Sequence, residues 1–360
     1  MSRPPLLDLL IPGLFGPVPV PPGEVPPTPV LSRLLGRADR LPGAGTVDPC
    51  RTLFHLFGYT PAPDQVCPSA PYCRLADRQM VDSGTGSEPY VLHADPVHLR
   101  PDRDRLVLFA GPDFAPDRAE ADALVALFNQ HLGEEGLRLE APTPECWYLL
   151  SEQAPELVTQ PLAAVRGRPI AGQLPRGPEA RRWARLLNEV QMLFHHSEVN
   201  QCREAAGIPT LNGLWLWGGG QLLPPPTGEV GYARVFSADP LALGLARARG
   251  IPTAHPPADL GAVLEEDILI HWSGLWEAVL AADGPGWIAS LTALEQWLVG
   301  STRPTAPGGA TGRVSPIPSL NLVLYPANGE RFHYRAHHRY RFWRHPLTLI
   351  LPDKGFRESP

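Results

Sequence analysis

The stretch from Asn188 to Gly220, NEVQMLFHHSEVNQCREAAGIPTLNGLWLWGGG, constrains the chain more than any other. It passes from an amphipathic helix through a polar turn to a short apolar strand with two tryptophans and a run of glycines. Trp183, Leu186, Leu187, Val190, Leu193 and Phe194 recur at helical spacing, so the helix opening at Pro178 has one apolar face. Leu214 to Trp217 reads as a strand. Gly218, Gly219 and Gly220 then read as a turn at its carboxyl end, where α/β proteins place ligands and where a glycine backbone admits close approach. The run lacks the Lys-Ser/Thr of a phosphate loop and the spaced glycines of a dinucleotide fingerprint.

Strand and helix patterns alternate on either side of this stretch. Residues 5–15 give a buried strand that Pro12-Gly13 ends, and helices follow around Val30 to Arg37 and Asp48 to Phe57. Residues 59–90 read as a long irregular excursion. Tyr90 to His93 and Leu106 to Ala110 read as strands, with ADPVHLRPDRDR as a polar turn between them. A helix over Arg118 to Leu132 precedes paired strands at Leu137 to Glu140 and Cys146 to Leu150. Val235 to Ser237, Pro240 to Arg249 and Glu265 to His271 repeat strand, helix, strand. A helix at Gly286 to Leu298, a strand at Asn321 to Tyr325 and a basic-aromatic segment from Arg331 to His345 complete the pattern. Such alternation implies a sheet covered by helices on both faces.

Composition narrows the function classes. The chain has 360 residues and 43% hydrophobic residues, enough for a large α/β core. Its 45 prolines far exceed the usual share of about 5%, so much of the chain must be connection. A net charge of −6 argues against nucleic acid as the main partner. The five cysteines are odd in number and irregularly spaced, which suits reduced thiols. No apolar run approaches the roughly 20 residues of a membrane span, and no signal-peptide pattern opens the chain. The expectation is a cytoplasmic protein with no membrane association.

Three clusters merit weighing as chemistry. His195, His196 and Glu198 resemble metal ligands, but histidines at a helix carboxyl end also suit the dipole there, and no metal site is assigned. Asp267 and His271 share a strand face, with a satisfied structural histidine as the simpler reading. The segment RFHYRAHHRYRFWRH interleaves arginines with aromatics and can engage single-stranded nucleic acid, an anionic ligand or a protein, or pack as a basic edge strand.

The segment HSEVNQCREAAGIPTLNGLWLWGGG resembles the stretch of archaeal-type cofactor-independent phosphoglycerate mutases from an HPVN-like turn to their IWLWGQG. VFSADPLALGLARARGI is similar to the strand and helix that follow there, and FHLFGYTP to their SLLGYDP. The chain is closer still to bacterial RpfE-type, phosphoglycerate-mutase-like proteins through LLIPGLFGP, LHADPVHLRPDRDRLVLF, the strand at Trp147 and Arg341 to Arg344. The resemblance implies a three-layer α/β/α, alkaline-phosphatase-like fold with a mostly parallel sheet and proline-rich insertions. Residues 1–58 and 176–360 would form the core, and 59–175 a smaller α+β insertion.

Enzymes of that superfamily use two divalent metals, held by Asp and His, and a serine nucleophile. Here IPGLFGP stands where an early acidic metal motif belongs, and no serine lies between Gly45 and Gly58; the matching position falls near Cys50. His271 matches a strand histidine, but HWSGLWEAVLAADGPGW lacks the Asp and His set that should follow. The resulting expectation is a degenerate relative with no catalytic residues, no cofactor, and a binding or regulatory role. Its ligand cleft would use Asn200, Asn212, Trp215, Trp217, Gly218, Gly219, Gly220 and His271. Arg339, Arg341 and Arg344 would serve a small anionic metabolite or a protein partner. Two alternatives stand beside it: an active mutase or phosphatase with a rearranged site using Mn or Zn, and nucleic-acid binding through residues 331–345.

Overall fold

The computed structural model describes all residues except 1–4, 22, 43–46, 63–65, 78–88, 229, 257–265, 301–320, 348 and 350–360. The chain divides into two compact units, Met1–Thr60 with Pro225–Pro360, and Pro61–Pro224. The first begins with β1 (Leu6–Leu10), α1 (Pro29–Arg37), β2 (Asp39–Pro42) and α2 (Pro49–Leu56). The second holds α3 (Ser69–Asp77), β3 (Tyr90–Asp102), β4 (Arg105–Phe109), α4 (Arg118–Leu132), β5 (Leu137–Glu140) and β6 (Tyr148–Ser151). It continues with α5 (Leu162–Val165), α6 (Ala180–His195), α7 (Glu198–Ala205) and β7 (Gly213–Gly220). The first unit resumes with β8 (Arg234–Phe236), α8 (Pro240–Ala248), β9 (Thr253–Ala254) and β10 (Ile268–His271). It closes with α9 (Gly274–Leu280), α10 (Gly284–Gly300), β11 (Asn321–Tyr325) and β12 (Glu330–Tyr334).

The sheet of the first unit runs β2-β12-β11-β1-β10-β8-β9. The strands β11, β1, β10, β8 and β9 are parallel, whereas β12 and β2 add an antiparallel edge. On one face Leu7, Leu9, Ile268, Ile270, Leu322 and Leu324 pack against Leu31, Leu34 and Leu35 of α1 and Trp287, Leu291 and Leu294 of α10. On the other, Phe57 at the end of α2 sits edge-on to Tyr232, whose hydroxyl donates to Asp8 of β1. With α2 and α8 adjoining on this side, helices flank both faces, and that explains why the parallel strands read as near-continuous apolar runs. This mixed α/β unit with a mostly parallel sheet is consistent with the alkaline-phosphatase-like expectation.

Local chemistry sets the helix starts. Asp48 accepts from the Cys50 amide at 2.9 Å ahead of Pro49, and Asp239 accepts from the Ala242 amide at 3.0 Å ahead of Pro240. Asp117 and Glu120 form a reciprocal capping box on α4.

The second unit departs from expectation in three places. Its boundary lies at Pro224 rather than residue 175. The apolar faces of α6 (Trp183, Leu186, Val190, Phe194) and β7 (Leu214, Leu216) fill the same core as α4, β5 and β6, which ties residues 176–224 to this unit. ADPVHLRPDRDR is not a turn but most of β3, a long strand pairing antiparallel with β4, β6 and β7. The excursion at 59–90 contains α3, which covers one face of β3 and β7, while its residues 63–65 and 78–88 lie outside the described residues.

Candidate functional site

In the first unit, the carboxyl ends of the parallel strands are where a ligand would meet the sheet. After β1, Ile11 and Leu14 are fully buried and enclose the Pro12-Gly13 turn. Gly13 has φ +79, and a Cβ there would stand 3.0 Å from the Leu275 carbonyl oxygen of α9. The Trp287 indole donates to the Gly13 carbonyl at 2.9 Å. At the end of β10, His271 is buried, with its Nδ1 3.3 Å from Oγ of Ser237, which follows β8 and is also buried. Ser237 Oγ accepts from the Asp239 amide at 2.9 Å, leaving its proton for the imidazole. Burial lowers the His271 pKa, opposed by the Asp239 and Glu277 carboxylates. The pair is thus a neutral imidazole holding a hydroxyl. Asp267 is engaged apart from it, accepting from the Leu6 amide at 2.6 Å.

The other expected cleft residues belong to the second unit, and their polar atoms serve its interior. Asn200 is fully buried, donating to the carbonyls of Phe194 and Leu211 at 2.8 and 3.0 Å and accepting from the Leu211 amide at 2.9 Å. Asn212 exchanges a similar pair of bonds with Leu99 at 2.7 and 2.9 Å. Trp215 donates to the Gln160 carbonyl at 2.9 Å. The three glycines form no loop; they are the last residues of β7. A Cβ on Gly218 would fall 2.3 Å from Ser69 Oγ, one on Gly219 2.7 Å from the Tyr90 hydroxyl, and one on Gly220 2.3 Å from Pro68 Cβ. They are small so that the entry to α3 and the side chain of Tyr90 can lie on the strand.

The same face carries a polar row that sequence reasoning missed. Trp217 donates its indole N–H to Asp95 and stacks on His93, ring centroids 4.0 Å apart at 14°. His93 also meets Tyr148 at 5.3 Å, and the Tyr148 hydroxyl donates to Asp77 at 2.6 Å. Burial pushes Asp95 up to about 7, against the Trp217 hydrogen bond, and takes His93 down to about 3. Burial raises Asp77 as well, and raises the Cys146 thiol, with Asp77, Asp95 and Glu145 adding to the effect. Asp77 also lines an open cleft of about 500 Å³ with Arg118, Asp122, Asn129, Arg138 and Glu140. The available signal was the two-residue spacing of His93 and Asp95 opposite Leu92 and Ala94; the following Pro96 masked it as a turn.

The arginines of the basic-aromatic segment are largely structural. Arg341 binds Asp39 at 2.6 Å and the Arg37 carbonyl at 3.1 Å, and Arg344 donates to the Ala38 carbonyl at 2.9 Å. Arg339 lies over the Tyr340 ring, 4.7 Å from its centroid. Tyr340, Phe342 and Trp343 are exposed. His195 and His196 contact each other, and His196 Nδ1 lies 2.8 Å from the Met192 carbonyl at the end of α6. No disulfide joins the five cysteines. Among the described residues, no three His, Cys, Asp or Glu side chains are placed to hold a metal ion, and no helix is long and apolar enough to cross a membrane.

No family model matches the chain, and no curated protein matches it significantly. Among solved structures, the chain is similar to the PH0037 protein from Pyrococcus horikoshii, with 13% identity and a TM-score of 0.52 over 93% of this chain and 88% of that one. A looser overlap, TM-score 0.41 at 13% identity over 92% and 90%, is with the cofactor-independent phosphoglycerate mutase from Thermoplasma acidophilum DSM 1728. The first similarity establishes a shared fold; the second is too loose to support an argument.

Proposed function

We propose that this chain is a phosphoglycerate-mutase-like protein of the RpfE type that has lost the two-metal chemistry and acts by binding, in a regulatory role. The sequence resemblance supplies the family. The observation carrying the loss of chemistry is the turn after β1, where Ile11 and Leu14 are buried and Gly13 lies against the backbone of α9. A two-metal site needs several carboxylates and imidazoles converging at that sheet edge. The side chains at that turn are apolar, the Asp239 and Glu277 carboxylates near His271 complete no set of three ligands among the described residues, and His271, the one matching imidazole, is engaged with Ser237. These residues do not fit a metal pair, so no catalytic step is derived through one. The binding role falls to other surfaces, with a protein or a small anionic metabolite as the proposed partner.

The test is to incubate the purified chain with Mn²⁺ or Zn²⁺ and supply 3-phosphoglycerate or p-nitrophenyl phosphate. The expected result is no interconversion and no hydrolysis above the metal-only control, with elemental analysis finding less than a stoichiometric metal. Turnover that depends on added metal, or two tightly held ions per chain, would reverse the reading.

A further inference from the structure

The residues after β12 hold large aromatic side chains out in solvent on a fixed backbone. Residues 331–345 carry five arginines and no carboxylate, in a chain of net charge −6. Arg341 and Arg344 serve the chain itself, through Asp39 and the carbonyls of Arg37 and Ala38. A little further on, the Leu347 amide donates to the Ser32 carbonyl at 2.9 Å, and a Cβ on Gly36 would run into the His345 carbonyl. The turn between is thus anchored on both sides to α1 and the start of β2. Within it Phe342 is 83% exposed and Trp343 64%, with Tyr340 at 61% just ahead of them. Phe342 and Trp343 pack edge to face, ring centroids 5.3 Å apart at 81°, so each braces the other. Neighbouring apolar side chains held outward in this way mark an interaction site more often than scattered ones do.

The charge beside them is unpaired. Burial raises the Tyr334 pKa, and the charges of Arg37, Arg339 and Arg33 oppose it, so these guanidinium groups gather near one hydroxyl. Arg339 also lies over Tyr340 and donates to its hydroxyl at 2.7 Å, which joins the arginines to the aromatics. Arg341 occupies Asp39 and Arg40 occupies Glu330. Among the described residues, no carboxylate forms an ion pair with Arg33 or Arg339.

We propose that this face docks an acidic segment of a partner protein, its carboxylates meeting Arg33 and Arg339 and its apolar side chains lying against Phe342 and Trp343. Such a segment is the protein partner of the binding role proposed above, on which this assignment rests. Trp, Tyr and Arg dominate the energetics of protein interfaces, and an anchored backbone lowers the ordering cost of docking. Opposite charge supplies the selection, since the face is basic in an otherwise acidic chain. Single-stranded nucleic acid fits less well. The near-perpendicular rings of Phe342 and Trp343 offer no parallel platform for successive bases, and Arg339 covers one face of Tyr340. An extended polyanion, whether nucleic acid or anionic bilayer, also meets repulsion from the acidic remainder of the chain, whereas a short segment engages the basic face alone.

The intact chain can be titrated into short fluorescein-labelled peptides and followed by anisotropy. One peptide alternates Glu with Leu and Phe, one has Lys in place of Glu, and one has Ser in place of Leu and Phe; labelled oligothymidylate and phosphatidylserine vesicles stand beside them. The Glu-Leu-Phe peptide should bind, and every other probe should bind at least about tenfold more weakly. Phe342→Ser, Trp343→Ser and Arg339→Ala should each weaken it about tenfold, whereas Met192→Ser, at an exposed methionine of the second unit, should leave it unchanged. Should a variant unfold, the preference of the wild-type chain for Glu over Lys and for Leu and Phe over Ser still decides. No binding of the Glu-Leu-Phe peptide, equal binding of the Lys or Ser peptide, or unchanged affinity in the folded variants overturns the proposal. So does tighter binding of oligothymidylate or vesicles, or a dimer of the chain that Phe342→Ser abolishes. Turnover with Mn²⁺ or Zn²⁺ would sink the metal-free reading without touching these outcomes, so the two failures are told apart.

Discussion

Gly220 lies so close to Pro68 that a Cβ built on it would stand 2.3 Å from the proline Cβ. A proline ring cannot swing aside as a long side chain would, so β7 or the entry to α3 must move to admit a methyl group. Gly220→Ala should therefore lower stability by about 1–3 kcal/mol. Gly218→Ala should cost at least as much, since its φ of +61 adds backbone strain to the clash with Ser69. Gly133→Ala, where nothing lies within 4 Å, should be close to neutral. Urea denaturation of the three variants checks the ranking.

The amino end of α1 is capped from a distance. The Glu295 carboxylate on α10 accepts from the amides of Val30 at 2.7 Å and Leu31 at 3.0 Å, whereas the N-cap residue Thr28 makes no side-chain cap. A carboxylate there satisfies two amides the helix itself cannot and meets the positive end of its dipole. Glu295→Ala should destabilise by about 2–3 kcal/mol, with Glu295→Gln recovering part. Equal losses for Ala and Gln in denaturation would mean that packing, not capping, sets the cost.

That contact also shows where the sequence stops being legible. β1, α4, α8 and α10 were readable because each carries its own signal: an apolar run, a capping pair, or a periodic stripe closed by Pro or Gly. Glu295 offers none, because what it caps lies 265 residues away from it along the chain. The same limit hid α3, whose Ser-Ala-Pro-Tyr start has weak helix propensity and is held by packing on β7. It turned the three glycines into an apparent ligand loop, since their real neighbours, Pro68, Ser69 and Tyr90, are remote in sequence. Asp95 read as a turn residue before Pro96 for the same reason; its partner Trp217 is 122 positions on.

From the sequence, Arg341 is expected to serve an anion or a protein partner. It is instead the pin that fixes the residues after β12, through Asp39 at 2.6 Å and the Arg37 carbonyl at 3.1 Å. Its hydrogen bond holds the Asp39 carboxyl below the usual carboxylate range. Arg341→Ala should cost about 1 kcal/mol and speed proteolysis within residues 335–345, while Arg339→Ala, at an exposed stack, should do neither. A double-mutant cycle with Asp39→Asn should show coupling at pH 7 that fades as pH falls through the depressed Asp39 value. Proteolysis unchanged in Arg341→Ala would show that other contacts hold the segment.

His93 and Asp95 should give opposite pH signatures. His93 falls from 6.5 to about 3 on folding, so its contribution is intact above pH 6.5 and is lost as pH drops toward 3, where the unfolded chain takes up a proton the native one refuses. Asp95 rises from 3.8 to about 7, so its contribution is intact below pH 3.8 and is lost as pH climbs through 7, because the native carboxyl must then ionise while partly desolvated. Between these limits the two slopes oppose each other and the wild-type chain should look deceptively flat. Asp95→Asn should gain on wild type by on the order of 1–3 kcal/mol between pH 4 and pH 8, and His93→Phe should gain similarly on going from about pH 6.5 down to pH 4. Urea unfolding at pH 4, 6 and 8 resolves both differences. If neither difference varies with pH, the two groups are better solvated than their packing around Trp217 implies.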